Sequence, residues 1–102
     1  MATFVNLTPH AVNLPDRTIE ASGTLARCAE VSAPVTTVDG IEVIRKTFGT
    51  VTGLPAAEAG TWYIVSMLVR AACPNRTDLL SPGDLVRDAA GQIIGCKNLV
   101  CN

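Results

Sequence analysis

Val35-Thr36-Thr37-Val38-Asp39-Gly40-Ile41-Glu42-Val43-Ile44-Arg45-Lys46-Thr47-Phe48 reads as two strands joined by two residues. A type I′ two-residue hairpin turn needs positive φ at both central positions, which favours Asp-Gly, so Asp39-Gly40 is the strongest short hairpin signal in the chain. Val35–Val38 is then the outgoing strand and Ile41–Phe48 the return.

The flanks have the same character. Upstream, Thr24–Val31 reads as another strand. Downstream, Thr50–Leu54 is short and extended, and Pro55–Ala59 is a loop. Thr61–Val65 is a compact apolar strand expected at the centre of the fold. Ser66 can cap a helix of about two turns over Met67–Cys73, which Pro74 stops. Thr77–Leu80 is extended, Ser81-Pro82-Gly83 turns the chain, and Leu85–Asp88 with Gln92–Cys96 form a last hairpin across Ala89-Ala90-Gly91. At the other end Thr3–Leu7 is a strand that Thr8-Pro9 interrupts. His10–Leu14 alternates and returns through Pro15-Asp16 to Arg17–Ala21. Val, Thr and Ile together make 28 of the 102 residues, which favours strand over helix. The expectation is a mainly β fold: a small antiparallel β-barrel or β-sandwich with one short helix at about residues 66–73, in a single domain spanning 1–102.

Composition narrows the function. Hydrophobic residues are 48% and charged residues 17%, which fits a globular chain. Net charge is −1, so the excess of positive charge that a DNA- or RNA-polymer binder uses is missing. Four aromatic residues, Phe4, Phe48, Trp62 and Tyr63, are few for the stacking platforms of single-strand binding. No apolar run approaches the roughly 18 residues of a membrane span, and no signal peptide is visible, so a soluble protein of the cytoplasm is expected. The cysteines, Cys28, Cys73, Cys96 and Cys101, contain no CxxC pair and fit buried thiols better than a zinc site or disulfides. With one histidine, no nucleophile elbow and no P-loop, no enzymatic constellation is legible. No metal and no cofactor are expected. Asp84 and Asp88 share a strand face, which suits a divalent cation less well than two solvated acids beside a turn.

Three groups of polar residues are candidate ligand contacts. Asn6, Thr8 and His10 form either a ligand-facing turn or an Asx turn with His10 bonded to the backbone. Ser66, Arg70, Arg76 and Asp78, with Asn75 and Thr77 between them, form the second. Two guanidiniums beside a helix start suit phosphate, whereas an Arg76–Asp78 surface pair would be worth little. Arg87, near Gln92, is the third, in phase for solvent beside a hairpin turn. Trp62 and Tyr63 face opposite sides of one strand, so one belongs to the core and the other is free to stack or to pack at an interface.

Asn6-Leu7-Thr8-Pro9-His10-Ala11-Val12, Tyr63-Ile64-Val65-Ser66, Arg76-Thr77-Asp78-Leu79-Leu80-Ser81-Pro82-Gly83, Val86-Arg87-Asp88 and Ile93-Ile94-Gly95-Cys96 resemble, in the same order and over nearly the whole chain, a family of short phage, prophage and bacterial proteins long catalogued as hypothetical. No functional residue is transferred by the resemblance. It implies a phage setting, in which small β proteins without catalytic machinery include inhibitors of host defence. By analogy, some of these are homo-oligomeric sponges that hold a cyclic oligonucleotide or a cyclic ADP-ribose derivative without cleaving it. The expectation that follows is a phage anti-defence protein of the host cytoplasm that sequesters a nucleotide. Arg70, Arg76 and Arg87 would then hold phosphates, Asn6, Thr8 and His10 a base or ribose, and Trp62 or Tyr63 would stack. The alternative is a non-enzymatic structural or protein-binding module, a small virion component or an inhibitor of a host protein, with Leu99-Val100-Cys101 as interface. A small nucleotide hydrolase using His10 as base with Asp78 or Asp88 as metal ligand is a third class.

Overall fold

The computed structural model describes residues 2–102. Its organising element is β6. The strands before it are β1 (Thr3–Asn6), β2 (Val12–Asn13), β3 (Thr18–Ile19), β4 (Arg27–Val38) and β5 (Ile41–Thr52); β6 itself is Thr61–Ile64. Helix α1 (Met67–Ala72) follows, then β7 (Leu79–Pro82), β8 (Leu85–Arg87), β9 (Ile93–Cys96) and β10 (Leu99–Cys101). The main sheet has the order β1-β6-β7-β10, and β6 lies inside it.

β6 runs parallel to both neighbours, with Asn6 opposite Ile64 on one side and Tyr63 opposite Leu79 on the other. Parallel neighbours need a crossover, and the segment carrying α1 supplies the one from β6 to β7. Ser66 begins it, its Oγ accepting from Val69 N at 3.3 Å. β10 closes the sheet antiparallel to β7, with Val100 opposite Ser81.

Parallel strands are buried on both faces, and β6 obeys that rule at its C-terminal half, Tyr63 and Ile64, while Trp62 is exposed. Tyr63, Val65 and Leu79 point to one side, where Leu7 and Val69 join them and Ala26, Cys28, Val51 and Leu54 pack around. Ile64 points to the other side, where it meets Val12 and Cys96 with Leu14, Ile19, Leu80 and Leu99. The first face is covered by α1 and the roots of β4 and β5. The second is covered by the small β2–β3 and β8–β9 hairpins.

The expectation of a mainly β chain with one short helix holds, but the finer picture changes. Among the described residues there is one four-stranded sheet and three two-stranded ones, and no closed barrel. The main sheet is mixed, not antiparallel, because the segment from β2 to β5 is a parallel crossover between β1 and β6 and the expected helix is one between β6 and β7. Ser81 and Pro82 belong to β7, and the chain turns after them at Gly83 and Asp84. Pro82 lies in the last position of its strand, beyond which no further ladder bond is required of it. Cys96 is buried, Cys28 and Cys73 are partly buried, and Cys101 is exposed; all four are free thiols.

β4 and β5 depart furthest from a compact fold. Thr24–Val31 and Val35–Val38, read as two strands, are joined into one twelve-residue β4 that runs through Pro34. β5 answers it with twelve residues. Asp39 at φ 48° and Gly40 at φ 77° form the expected turn. Every residue from Ala29 to Thr50 is exposed. The hairpin is therefore an arm whose root alone is packed. The radius of gyration is 16.4 Å, against about 13 Å for a compact chain of this length.

Leu79→Ala removes a fully buried side chain from between two strands and should cost about 2–5 kcal/mol in chemical denaturation. Met67→Ala, on an exposed side chain, should change stability by less than about 0.5 kcal/mol.

Candidate functional site

Asn6 ends β1 and is 1% exposed. Its Nδ2 donates to the carbonyls of His10 at 2.8 Å and Ile19 at 3.0 Å. Its Oδ1 accepts from Thr8 N at 3.0 Å and Thr8 Oγ1 at 2.6 Å. These are the two donors and two acceptor positions an amide side chain has. Asn6 is thus filled within the chain, as the Asx-turn alternative describes, and it ties the Thr8–His10 turn to β3. Its own carbonyl accepts from Ser22 N at 2.9 Å and Ser22 Oγ at 2.7 Å. The His10 side chain, which the Asx-turn alternative bonds to the backbone, makes no hydrogen bond among the described residues and is exposed, at a groove of about 360 Å³ walled by Asn13, Leu85, Ile94 and Cys96.

Arginines occupy structural positions. Arg70, on α1, donates through Nε to Ser81 Oγ at 2.8 Å and through Nη1 to Asn102 Oδ1 at 3.2 Å. Asn102 Nδ2 in turn donates to the carbonyls of Arg70, Cys73 and Arg76, closing the end of the helix. Arg76 grips Asp78 with two parallel bonds of 2.8 Å and reaches Pro55 O at 3.1 Å. The hydrogen bond from Arg76 lowers the Asp78 pKa below the usual carboxylate range, and the same bond raises that of Arg76. Both side chains are more than two-thirds buried, so this pair is less screened than the surface pair weighed from sequence. Arg87 donates to Gly91 O at 2.9 Å across the β8–β9 turn, and Asp88 Oδ1 accepts from Ala90 N and Gln92 N in the same turn. The three guanidiniums thus bond to three separate sets of partners.

Of the aromatic pair, Tyr63 is the core member, with its hydroxyl donating to Ala56 O at 3.2 Å, and Trp62 is 37% exposed. Ser66 lies with Thr8 on a second groove of about 250 Å³ that also takes in Pro9 and Arg27. That groove joins one residue from each of the first two candidate groups and adds Arg27, which sequence reasoning passed over as an ordinary strand residue. Leu99-Val100-Cys101 is the antiparallel edge strand β10. Among the described residues no group of three His, Cys, Asp or Glu side chains is placed to hold a metal ion. No helix is long and apolar enough to cross a membrane.

The arm carries half of the large hydrophobics exposed among the described residues. Val31, Val35, Val38, Ile41, Val43, Ile44 and Phe48 are all exposed, between 38% and 68%. Opposite residues of an antiparallel pair share a face. One face therefore carries Val31 opposite Thr47, Ala33 opposite Arg45, and Val38 opposite Ile41, with Val43 beside them. The other carries Phe48 opposite Glu30, Lys46 opposite Ser32, Ile44 opposite Pro34, and Glu42 opposite Thr37. Lys46 Nζ bonds Glu30 Oε1 at 2.8 Å across this second face, which raises the lysine pKa. The signal that could have marked the arm was length: β4 and β5 are twice a usual strand, and nothing else in the chain is long enough to pair with them.

No family model, no curated protein and no solved structure matches the chain.

Asp78→Asn should cost about 1–3 kcal/mol at neutral pH by taking the charged partner from Arg76. Because the folded Asp78 is the more acidic state, its contribution is complete above about pH 4 and is lost as pH falls through the depressed folded value. The variant should accordingly show a shallower fall of melting midpoint below about pH 4 than the parent, measured by circular dichroism.

Proposed function

We propose that the chain is a non-enzymatic assembly or protein-binding module that works through its β4–β5 arm. One observation supports this above the others: seven large apolar side chains stand exposed on a hairpin whose root alone is packed. A two-stranded ribbon is marginal in water without further strands or a covered face. Exposed apolar surface of this extent marks a contact with another macromolecule. The body is a small scaffold that fixes the arm's root, and its arginines serve that scaffold. The phage setting implied by the sequence resemblance suits either a virion component or a protein that docks on a host factor.

Nucleotide sequestration is a second reading, favoured by the groove that joins Thr8, Ser66 and Arg27. Two hydroxyls and a guanidinium are suitable partners for a phosphate or ribose. A melting-point screen against cyclic oligonucleotides and cyclic ADP-ribose isomers separates the two. A shift that Arg27→Ala abolishes, with the nucleotide recovered intact, favours this second reading.

The test of the arm is a variant with Val35, Val38, Ile41 and Val43 all changed to Thr, which keeps strand propensity. Its melting midpoint in dilute solution should match the parent, because those side chains serve contacts outside the fold. A loss as large as that of Leu79→Ala would show that they serve the chain's own core and would overturn the reading.

A further inference from the structure

We infer that the arm's partner is a second copy of this chain, joined edge to edge through β5 about a two-fold axis at Ile44; this rests on the arm being an interaction element.

The two edges of the arm are unequal. Asp39-Gly40 is a two-residue turn, so Val38 and Ile41 form its closing hydrogen-bonded pair. Hydrogen-bonded and non-hydrogen-bonded pairs alternate from there. Glu42, Ile44 and Lys46 therefore direct their N–H and C=O groups away from β4. On the opposite strand Pro34 is the partner of Ile44, so the amide hydrogen that proline lacks is missing from the outer edge of β4. A register shift between Pro34 and Thr36 disrupts that edge further. β5 has no proline and keeps its register from Ile41 to Lys46 apart from the bulge that β4 opens opposite it. The usable edge is β5.

Its side chains are self-complementary. Antiparallel pairing of β5 with its own copy keeps each face on one side only when paired residue numbers sum to an even value. Centred on Ile44, the pairing puts Ile44 opposite the partner's Ile44, Val43 opposite the partner's Arg45, and Glu42 opposite the partner's Lys46. The last pair occurs twice by symmetry. Each contact is isologous, as a two-fold dimer requires. Two marginal ribbons become one four-stranded sheet with an unbroken ladder at its centre, which exceeds the three strands with an apolar face that independent stability requires. Lys46 already lies 2.8 Å from Glu30, so the pairing builds a charge cluster of Glu30, Lys46 and the partner's Glu42.

The test is sedimentation of the full-length protein with charge-swapped variants. The parent should be a concentration-dependent dimer. Glu42→Lys alone and Lys46→Glu alone each place like charges opposite one another twice, and each should be monomeric at concentrations where the parent is dimeric. An equimolar mixture of the two single variants restores opposite charges at both positions and should recover dimer, as should the double variant Glu42→Lys/Lys46→Glu. A parent that dimerises while both single variants dimerise equally well would overturn the β5 register and leave the arm reading standing. A monomeric parent at all concentrations overturns the self-pairing proposal. The quadruple threonine variant then decides the arm reading separately, by its melting midpoint.

Discussion

Burial of β6 on both faces is the constraint on which the body depends. Tyr63 and Val65 face one way and Ile64 the other, and all three are almost wholly enclosed. A strand in that position needs a hydrogen-bonding neighbour on each edge and a cover on each side. β1 and β7 supply the edges. The covers come from short elements that could not stand alone: a six-residue helix, the paired roots of β4 and β5, and two small hairpins. Asn6 fastens one of these covers by spending every hydrogen-bonding position of its amide on the Thr8–His10 turn and β3. Arg76, with Asp78 and Pro55 O, fastens the loop that precedes β6 to the strand that follows it. Asn6 and Arg76, two of the residues that look like binding groups, are in this way ties of a small core.

The arm obeys the opposite economy. It contains many of the chain's β-branched residues, yet from Ala29 to Thr50 it buries none of them within the chain. A chain of about 100 residues has limited apolar surface with which to build a core. Placing Val35, Val38, Ile41, Val43 and Ile44 in water is costly unless a partner covers them. The body fixes where the arm begins, and in the proposed reading the arm makes the contact with a partner. Seven of the fourteen large hydrophobics exposed among the described residues stand on this one hairpin.

Much of the local structure was legible because it rests on local chemistry. Asp39-Gly40 needs positive φ, Ser66 caps through its own hydroxyl, and Pro74 cannot continue a helix; each reads from a few adjacent residues. The hairpin across Ala89-Ala90-Gly91 and the central placement of Thr61–Val65 followed from the same kind of signal. Sheet order is a non-local property, and the antiparallel expectation failed there. Nothing in the alternation of Thr3–Leu7 says that it runs parallel to β6, fifty and more residues away. Pro34 obscured the continuity of β4, because a proline in a strand is acceptable only at an edge, and edges are assigned by the fold. The candidate site was legible as a set of residue types but not as a set of roles. Arg70, Arg76 and Arg87 find partners at Ser81, Asp78 and Gly91, which spacing alone does not reveal. Exposure of the arm left its mark only in strand length.

The central claim, that the β5 edge is a pairing surface, is tested most directly by amide hydrogen exchange across Ile41–Lys46 at two protein concentrations. The amides of Val43 and Arg45 bond inward to β4 within one chain and should be the better protected set in dilute protein. Those of Glu42, Ile44 and Lys46 point outward and should be protected only at the higher concentration, where two copies meet. Outward amides that exchange as freely in concentrated as in dilute protein, with the inward amides protected throughout, would contradict the account.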